Sequence, residues 1–399
     1  MPTEPILHRT CQMPKNGLTQ NMIRKMLEEK LQRDLSYSSG KILSSMCTNP
    51  HGFAKQIYRK YLDKNLGDPS LFPASAELEE EAICMLGSLL SNPRASGSIV
   101  SGGTEANILA LWIARNLARK DCGEVVVPVS AHYSFDKAAD LLNLKLIKVK
   151  LNHRFQMDVK TAQEAITPRT VAIVGVVGTT GLGAVDPICE LSEIAFAHSI
   201  YLHVDAAFGG FMLPFLKELG YEAPDFDFRL PGVCSITIDP HKMGLAPIPA
   251  GGILFRNEAM TETVSTRIPY LAGGETEQQT VIGTRSGASA VAVWALLLHL
   301  GRTGYRAIVE RCLRLTSKLV EGIRLIDGLN IVTEPTLNVV GIKSEIHDER
   351  LIFQELRNRG WAVSLFPSFI RIIVMPHTKH SHISNLLNDL KRILEKLNG

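Results

Sequence analysis

Paired cysteines are missing from this sequence. Its seven cysteines (Cys11, Cys47, Cys84, Cys122, Cys189, Cys234 and Cys312) are odd in number, widely scattered and contain no C-x-x-C. That excludes a disulfide framework and a zinc cluster. No run of about 18 uncharged apolar residues occurs, so no segment is expected to span a bilayer. The stretch 282–301 comes nearest and is interrupted by Arg285. Met1-Pro2-Thr3-Glu4-Pro5 lacks the basic-then-apolar pattern of a secretory leader. These absences predict a cytoplasmic protein. Charge of one sign is scarce too: 43 Lys+Arg against 40 Asp+Glu leaves +3. So small a surplus makes neither nucleic acid nor an acidic membrane the main partner. Internal repeats, G-x-x-x-x-G-K-[ST], G-x-G-x-x-G and G-x-S-x-G are also absent. A P-loop nucleotide site, a dinucleotide fingerprint and a serine-hydrolase elbow are thereby excluded.

What is present is an ordinary globular composition, 45% hydrophobic and 21% charged over 399 residues. Two domains are the natural division of that length. Residues 1–18 have no period and read as a loose arm. Ile23, Met26, Leu27 and Leu31 give helical spacing over 19–35. Further helices fit 52–64 and 75–90, the latter with Ser75 as cap and Glu77, Glu79, Glu80 and Glu81 in its first turn. From residue 96 the pattern alternates. Short aliphatic strands at 125–129, 144–149, 171–177, 200–205, 235–239 and 253–255 are separated by helices at 104–119, 135–142, 161–165 and 190–198. Such alternation predicts an α/β fold with a mostly parallel sheet covered on both faces. Residues 269–287 are turn-rich, and a long helical region follows to about 326. Short strands at 331–332, 338–342, 362–365 and 370–374, with helices at 348–359 and 380–397, form a small C-terminal α/β unit. The expected division is an N-terminal arm and helix (1–50), a large domain (51–285), and a long helix with a small domain (286–399).

Three polar clusters fall at predicted strand ends, where open α/β sheets bind ligands. Ser101-Gly102-Gly103-Thr104-Glu105-Ala106-Asn107 enters a helix. Its small residues and free N–H groups suit a phosphate cradle, or a plain capped turn. His203-Val204-Asp205-Ala206-Ala207 follows a strand. Asp205 suits a protonated ring nitrogen, with Ala207 leaving room for the ring face, or it caps a turn. Asp239-Pro240-His241-Lys242-Met243-Gly244 ends another strand. Lys242 is either an exposed loop lysine or an imine-forming one, whose pKa cationic or apolar neighbours would depress. Together the three supply what a protein contributes to pyridoxal 5′-phosphate (PLP) chemistry.

As a set these motifs are specific. The chain resembles the PLP-dependent group II amino-acid decarboxylases of the aspartate-aminotransferase fold (fold type I), from about Leu43 to the run Arg371-Ile372-Ile373-Val374-Met375-Pro376-His377. Within that group it looks most like the archaeal branch acting on L-tyrosine or L-aspartate. The resemblance implies α-decarboxylation to tyramine, a methanofuran precursor, or to β-alanine for coenzyme A, in a homodimer with composite active sites. It assigns Lys242 to the covalent attachment of PLP, Asp205 to the ring nitrogen, and His132 to stacking on the ring. Gly103, Thr104 and His241 are assigned to the phosphate. Of Thr179 and Thr180, one is placed near the ring's 3-oxygen, or both serve a turn. Thr284, in Gly283-Thr284-Arg285-Ser286-Gly287, would reach the neighbouring subunit's phosphate site. Tyr270 matches the tyrosine that protonates the product in animal enzymes, but on a shorter loop; His132 is its competitor. Arg371 binds a substrate carboxylate or forms a surface salt bridge. Residues 45–49 and Leu71-Phe72 are expected in the substrate pocket. His377, His380 and His382 begin a helix with no acid beside them, and no metal is expected. The alternative activity is a carbon–carbon lyase of the sphingosine-phosphate lyase type.

Overall fold

The computed structural model describes residues 12–118 and 123–398. Cys11, Cys122 and most of the expected N-terminal arm lie outside the described residues. Seven strands form the main sheet: β1 (Ser96–Val100), β2 (Glu124–Pro128), β3 (Lys145–Val149), β4 (Thr170–Val176), β5 (Tyr201–Asp205), β6 (Val233–Ile238) and β7 (Gly251–Phe255). Their order is β1-β7-β6-β5-β4-β2-β3. Only β7 runs against its neighbours; the other pairings are parallel.

The strands are nearly continuous apolar runs because both faces are covered. Alternate residues of β4 feed opposite cores. Ile173 joins Leu191, Leu202 and Ile236 on one side. Ala172 and Val174 join Leu109, Ile113 and Phe135 on the other. Fully burying each such aliphatic side chain is worth about 1.5–3 kcal/mol. The result is a rigid platform whose parallel strands all end on one edge.

A hairpin, β8 (Thr266–Leu271) with β9 (Gly274–Gln278), occupies part of the stretch expected to hold only turns. Its residues are largely exposed and polar, so no apolar alternation announces it. The long helix Gly287–Arg324 is broken at Gly301, where φ is 54°. Residues before the break pack on the main sheet. Leu315, Leu319 and Ile323 pack instead on the C-terminal unit. That unit is a four-stranded antiparallel sheet of β10 (Leu329–Ile331), β11 (Val339–Ser344), β12 (Ser364–Phe366) and β13 (Phe369–Ile373), in the order β10-β11-β13-β12. Helices Glu349–Asn358 and His380–Asn398 complete it, and Leu43 from far upstream joins its core.

Two local expectations are corrected. Ser75 does not cap its helix: the helix spans Pro73–Leu89, with Pro73 in the first turn, where its fixed φ is favoured. Strand β1 was not expected, because Ser96-Gly97-Ser98 carries too little apolar character. It forms because Gly97 lets β7 approach: a Cβ there would sit 2.1 Å from the Ile253 carbonyl oxygen. At the N-terminus, helix Gln20–Leu31 is capped by Thr19 and buries none of its residues. Met22, Ile23, Leu27 and Leu31 are all exposed. Among the described residues no helix is long and apolar enough to cross a membrane.

Candidate active site

The carboxyl ends of β1, β2, β4, β5 and β6 converge on one cleft of about 310 Å³. Gly103 and Thr104 reach it from the loop after β1, His132 from the loop after β2, and Thr180 from that after β4. Asp205 and Ala207 come from the end of β5, His241 and Lys242 from the turn after β6. Eight of the residues singled out in the sequence therefore meet in one place.

Lys242 Nζ lies 3.0 Å from Asp239 Oδ2. Burial alone would depress the amine, but the carboxylates of Asp239 and Asp205 outweigh it and hold the Lys242 pKa above its usual value. The sequence-based expectation of a depressed pKa is thus corrected: the lysine sits among acids, not cations. Asp239 is 1% exposed, and its other oxygen, Oδ1, has no hydrogen-bond partner. The His241 Nδ1 accepts the Ala250 N–H at 3.2 Å, placing the ring proton on Nε2. Burial lowers the His241 pKa, so the ring is neutral.

Asp205 is 6% exposed and has no ion-pair partner among the described residues. Its Oδ1 accepts the Ala207 N–H at 3.1 Å and its Oδ2 the Asn107 side-chain amide at 3.0 Å. Asn107 also donates to Ser134 Oγ at 2.9 Å and accepts from Thr237 Oγ1 at 2.8 Å. Behind it His203 Nε2 lies 3.0 Å from Asn107 Oδ1, with Nδ1 2.8 Å from Ser235 Oγ. Complete burial drives the His203 pKa down to about 4.

The glycine turn is set by its neighbours. A Cβ on Gly103 would stand 2.9 Å from Asp239 Oδ2. One on Gly251 of β7 would stand 2.4 Å from Gly102 Cα. Glu105, inside the following helix, accepts the Ser101 N–H at 2.8 Å and the Ile282 N–H at 3.2 Å. It thereby pins the turn to the loop that carries Thr284. A buried carboxylate with no ion-pair contact, an orphaned carboxylate oxygen, a lysine amine and free helix-start N–H groups fit a flat cationic ring that carries an aldehyde and a phosphate. That is the chemistry of PLP.

His132 lines this cleft and also a second, largely apolar cavity of about 360 Å³ that includes Tyr133, Phe155, Phe366 and Phe369. Its Nδ1 accepts the Ser134 N–H at 3.3 Å, and burial lowers its pKa. Thr180 borders both cavities. Thr179 instead braces the turn, its Oγ1 accepting the Ala184 N–H at 3.0 Å.

Other expected residues lie elsewhere in the single chain. Tyr270 is 82% exposed on the β8–β9 hairpin, and Thr284 is exposed. Arg371 is not at a surface salt bridge. It is 7% exposed and donates to the carbonyls of Thr180 at 2.5 Å and Ser44 at 2.7 Å, and to Ser364 Oγ at 2.8 Å. Burial lowers its pKa to about 10. Its guanidinium lies over the Phe366 ring, 5.3 Å from the centroid, beside the second cavity. Met46 lines the cleft, and Cys47 feels the charge of Lys242. Leu71, 60% exposed, does not line it. The nitrogens of His377 are taken by Thr48 Oγ1 and the Ile42 carbonyl. His382 Nδ1 accepts the Lys379 N–H.

Asn107, Asp239 and Glu105 went unassigned in the sequence, although each stands inside a recognised motif. The available signal was polarity out of place: Glu105 and Asn107 interrupt an apolar helix, and Asp239 ends an aliphatic strand.

A profile described as the pyridoxal-dependent decarboxylase conserved domain matches residues 43–344. An L-aspartate decarboxylase from Thermococcus kodakarensis is 50% identical over 96% of this chain and 100% of its own length. A protein from Methanothermobacter thermautotrophicus named "Probable L-tyrosine/L-aspartate decarboxylase" is 49% identical over 90% of this chain and 99% of its own. Among solved structures, a sphingosine-1-phosphate lyase from Burkholderia pseudomallei superposes with a TM-score of 0.90 at 28% identity, covering 96% of this chain and 92% of that one.

Proposed function

Because the chain belongs to the pyridoxal-dependent decarboxylase family and is a PLP-dependent carboxy-lyase, we propose that it removes the α-carboxylate of L-aspartate or L-tyrosine, releasing carbon dioxide and β-alanine or tyramine. The observation that carries the reading is the meeting of Lys242 with a buried carboxylate free of ion-pair contacts, Asp205, and the glycine turn in one cleft. Bound PLP supplies an electron-withdrawing ring that stabilises negative charge at the substrate α-carbon.

The chain's own groups have distinct tasks in this reading. Gly103, Thr104 and His241 hold the phosphate, the first two through N–H groups at the helix start. Asp205, fixed by Asn107 and the Ala207 N–H, keeps a proton on the ring nitrogen. Ala207, His132 and Thr180, which line the cleft, would hold the ring. Lys242 attaches the cofactor. Its ammonium must first lose a proton, and Asp239 Oδ2 at 3.0 Å is the acceptor at hand. His132, whose Nδ1 accepts the Ser134 N–H, would carry on Nε2 the proton passed to the α-carbon and would regain one from water. Tyr270 shares that task only where a second copy of the chain brings its hairpin to this cleft.

That second copy belongs to the proposal: a cytoplasmic homodimer in which Thr284 serves the neighbouring cleft. Exposed Tyr270, Val281 and Ile282 near the pinned loop support it. So does the uncovered apolar stripe of helix Gln20–Leu31. Arg371, a buried cation with Nε unpartnered, is the group proposed to answer a second substrate carboxylate. The neighbouring aromatic cavity is the room for a phenol ring. The lyase alternative rests on a neighbour at 28% identity, against decarboxylases at 50% and 49%, and is set aside.

The test is amine and carbon dioxide release by purified holoenzyme supplied with each amino acid in turn. Turnover of neither would overturn the reading. Lys242→Ala is expected to abolish both turnover and the visible absorbance of the bound cofactor. Persistence of that band would mean another lysine holds it.

A further inference from the structure

Where the long helix Gly287–Arg324 meets the start of helix His380–Asn398, a groove of about 760 Å³ opens at the surface. Arg311, Arg314, Lys318, Lys379 and His380 line it, against a single carboxylate, Glu321. None of the four arginines and lysines has an ion-pair partner among the described residues. Two of them are held in place rather than loose. Arg311 donates to the Pro376 carbonyl. Lys318 Nζ donates to Ser384 Oγ at 3.0 Å and lies against the His380 ring. Cations gathered without acids repel one another, and an anion among them relieves that repulsion.

A second feature is independent of the charge. Thr378 lines the same groove and is 1% exposed, yet its Oγ1 has no hydrogen-bond partner. Buried hydroxyls are nearly always paired, so this one has a donor left over for a water or an anion at the groove. It stands two residues before a 19-residue helix, whose leading N–H groups favour negative charge.

We propose that this groove binds the phosphate group of a small anionic metabolite. The Thr378 hydroxyl donates to a phosphate oxygen, and Arg314, Lys318 and Lys379 supply the charge. A short concave cluster in a chain of net charge +3 suits a small molecule rather than a nucleic acid.

Calorimetric titration of holoenzyme tests it, because resident cofactor keeps the catalytic phosphate cradle filled. The probes are inorganic phosphate, pyrophosphate and ADP. Saturable binding, weakened at least about tenfold both in Arg314→Gln/Lys318→Gln and in Thr378→Val, is the expected result. Thr378→Val breaks no bond, so its melting temperature should not fall, which separates lost binding from lost folding. Should the double variant fold poorly, Lys379→Gln at the exposed rim takes its place. Equal affinity for pyrophosphate and ADP would identify the phosphate itself as the ligand; tighter ADP binding would add a nucleoside contact, and either supports the site. No saturable binding of any probe up to about 10 mM, or undiminished affinity in a folded variant, would overturn it.

Discussion

Asn107, inside helix Gly103–Ala118, touches four buried side chains at once: Asp205, Ser134, Thr237 and His203. Replacing it with alanine strands several buried donors and acceptors together. Asn107→Ala is expected to destabilise the chain by about 2–4 kcal/mol. The readout is a lower urea midpoint at unchanged slope. A drop well under about 1 kcal/mol would mean water replaces the amide. His203, in the same network, couples folding to pH. Its folded-state pKa of about 4 lies below the ordinary 6.5. Between those values the unfolded chain takes up a proton that the folded chain refuses. Stability present above pH 6.5 is therefore lost as pH falls toward 4, by up to about 3 kcal/mol. His203→Gln cannot charge, so its denaturation midpoint should fall less over that window than that of the native chain. Parallel pH profiles would refute this. Because Asn107 and His203 touch, the two effects will not add. Reactive residues were legible in the sequence because glycine turns and strand-end acids stand out locally. Their supports were not, because hydrogen bonds such as Asn107 to Asp205 join residues 98 positions apart.

At the scale of elements, the cofactor turn rests on a contact between strands. Gly251 of β7 faces the backbone of Gly102, and a methyl group there would come within 2.4 Å of its Cα. Gly251→Ala should therefore cost about 1–3 kcal/mol in overpacking. It should also weaken cofactor binding about tenfold, as read by absorbance titration of apoprotein with PLP. Unchanged affinity would show that the turn does not lean on β7. The same contact explains which elements could be read in advance. β2, β4 and β5 are buried throughout, and such runs declare themselves by composition alone. β1 and the β8–β9 hairpin do not, since small or exposed residues carry no period. Nor did spacing reveal the break at Gly301 inside an otherwise helical stretch.

For the whole molecule, the exposed apolar residues of helix Gln20–Leu31 and of the Thr284 loop are the surfaces a monomer leaves unsatisfied. Light scattering of the holoenzyme is expected to give twice the chain mass. A fully active monomer would remove Thr284 and Tyr270 from any neighbour's cleft. The α/β architecture and the small C-terminal unit were readable from the sequence. The way the units are tied together was not, for it rests on contacts between distant segments: Leu337, Val339 and Ile373 join the main core, and Arg371 adds polar bonds. That one guanidinium bonds to Ser44 near the start, Thr180 in the middle and Ser364 near the end of the chain. Its bond to Thr180 is the one that crosses to the main domain, so swinging the C-terminal sheet outward like a door would have to break it. A latch at that point ties any wider opening of the cleft to the loss of one charge-assisted hydrogen bond.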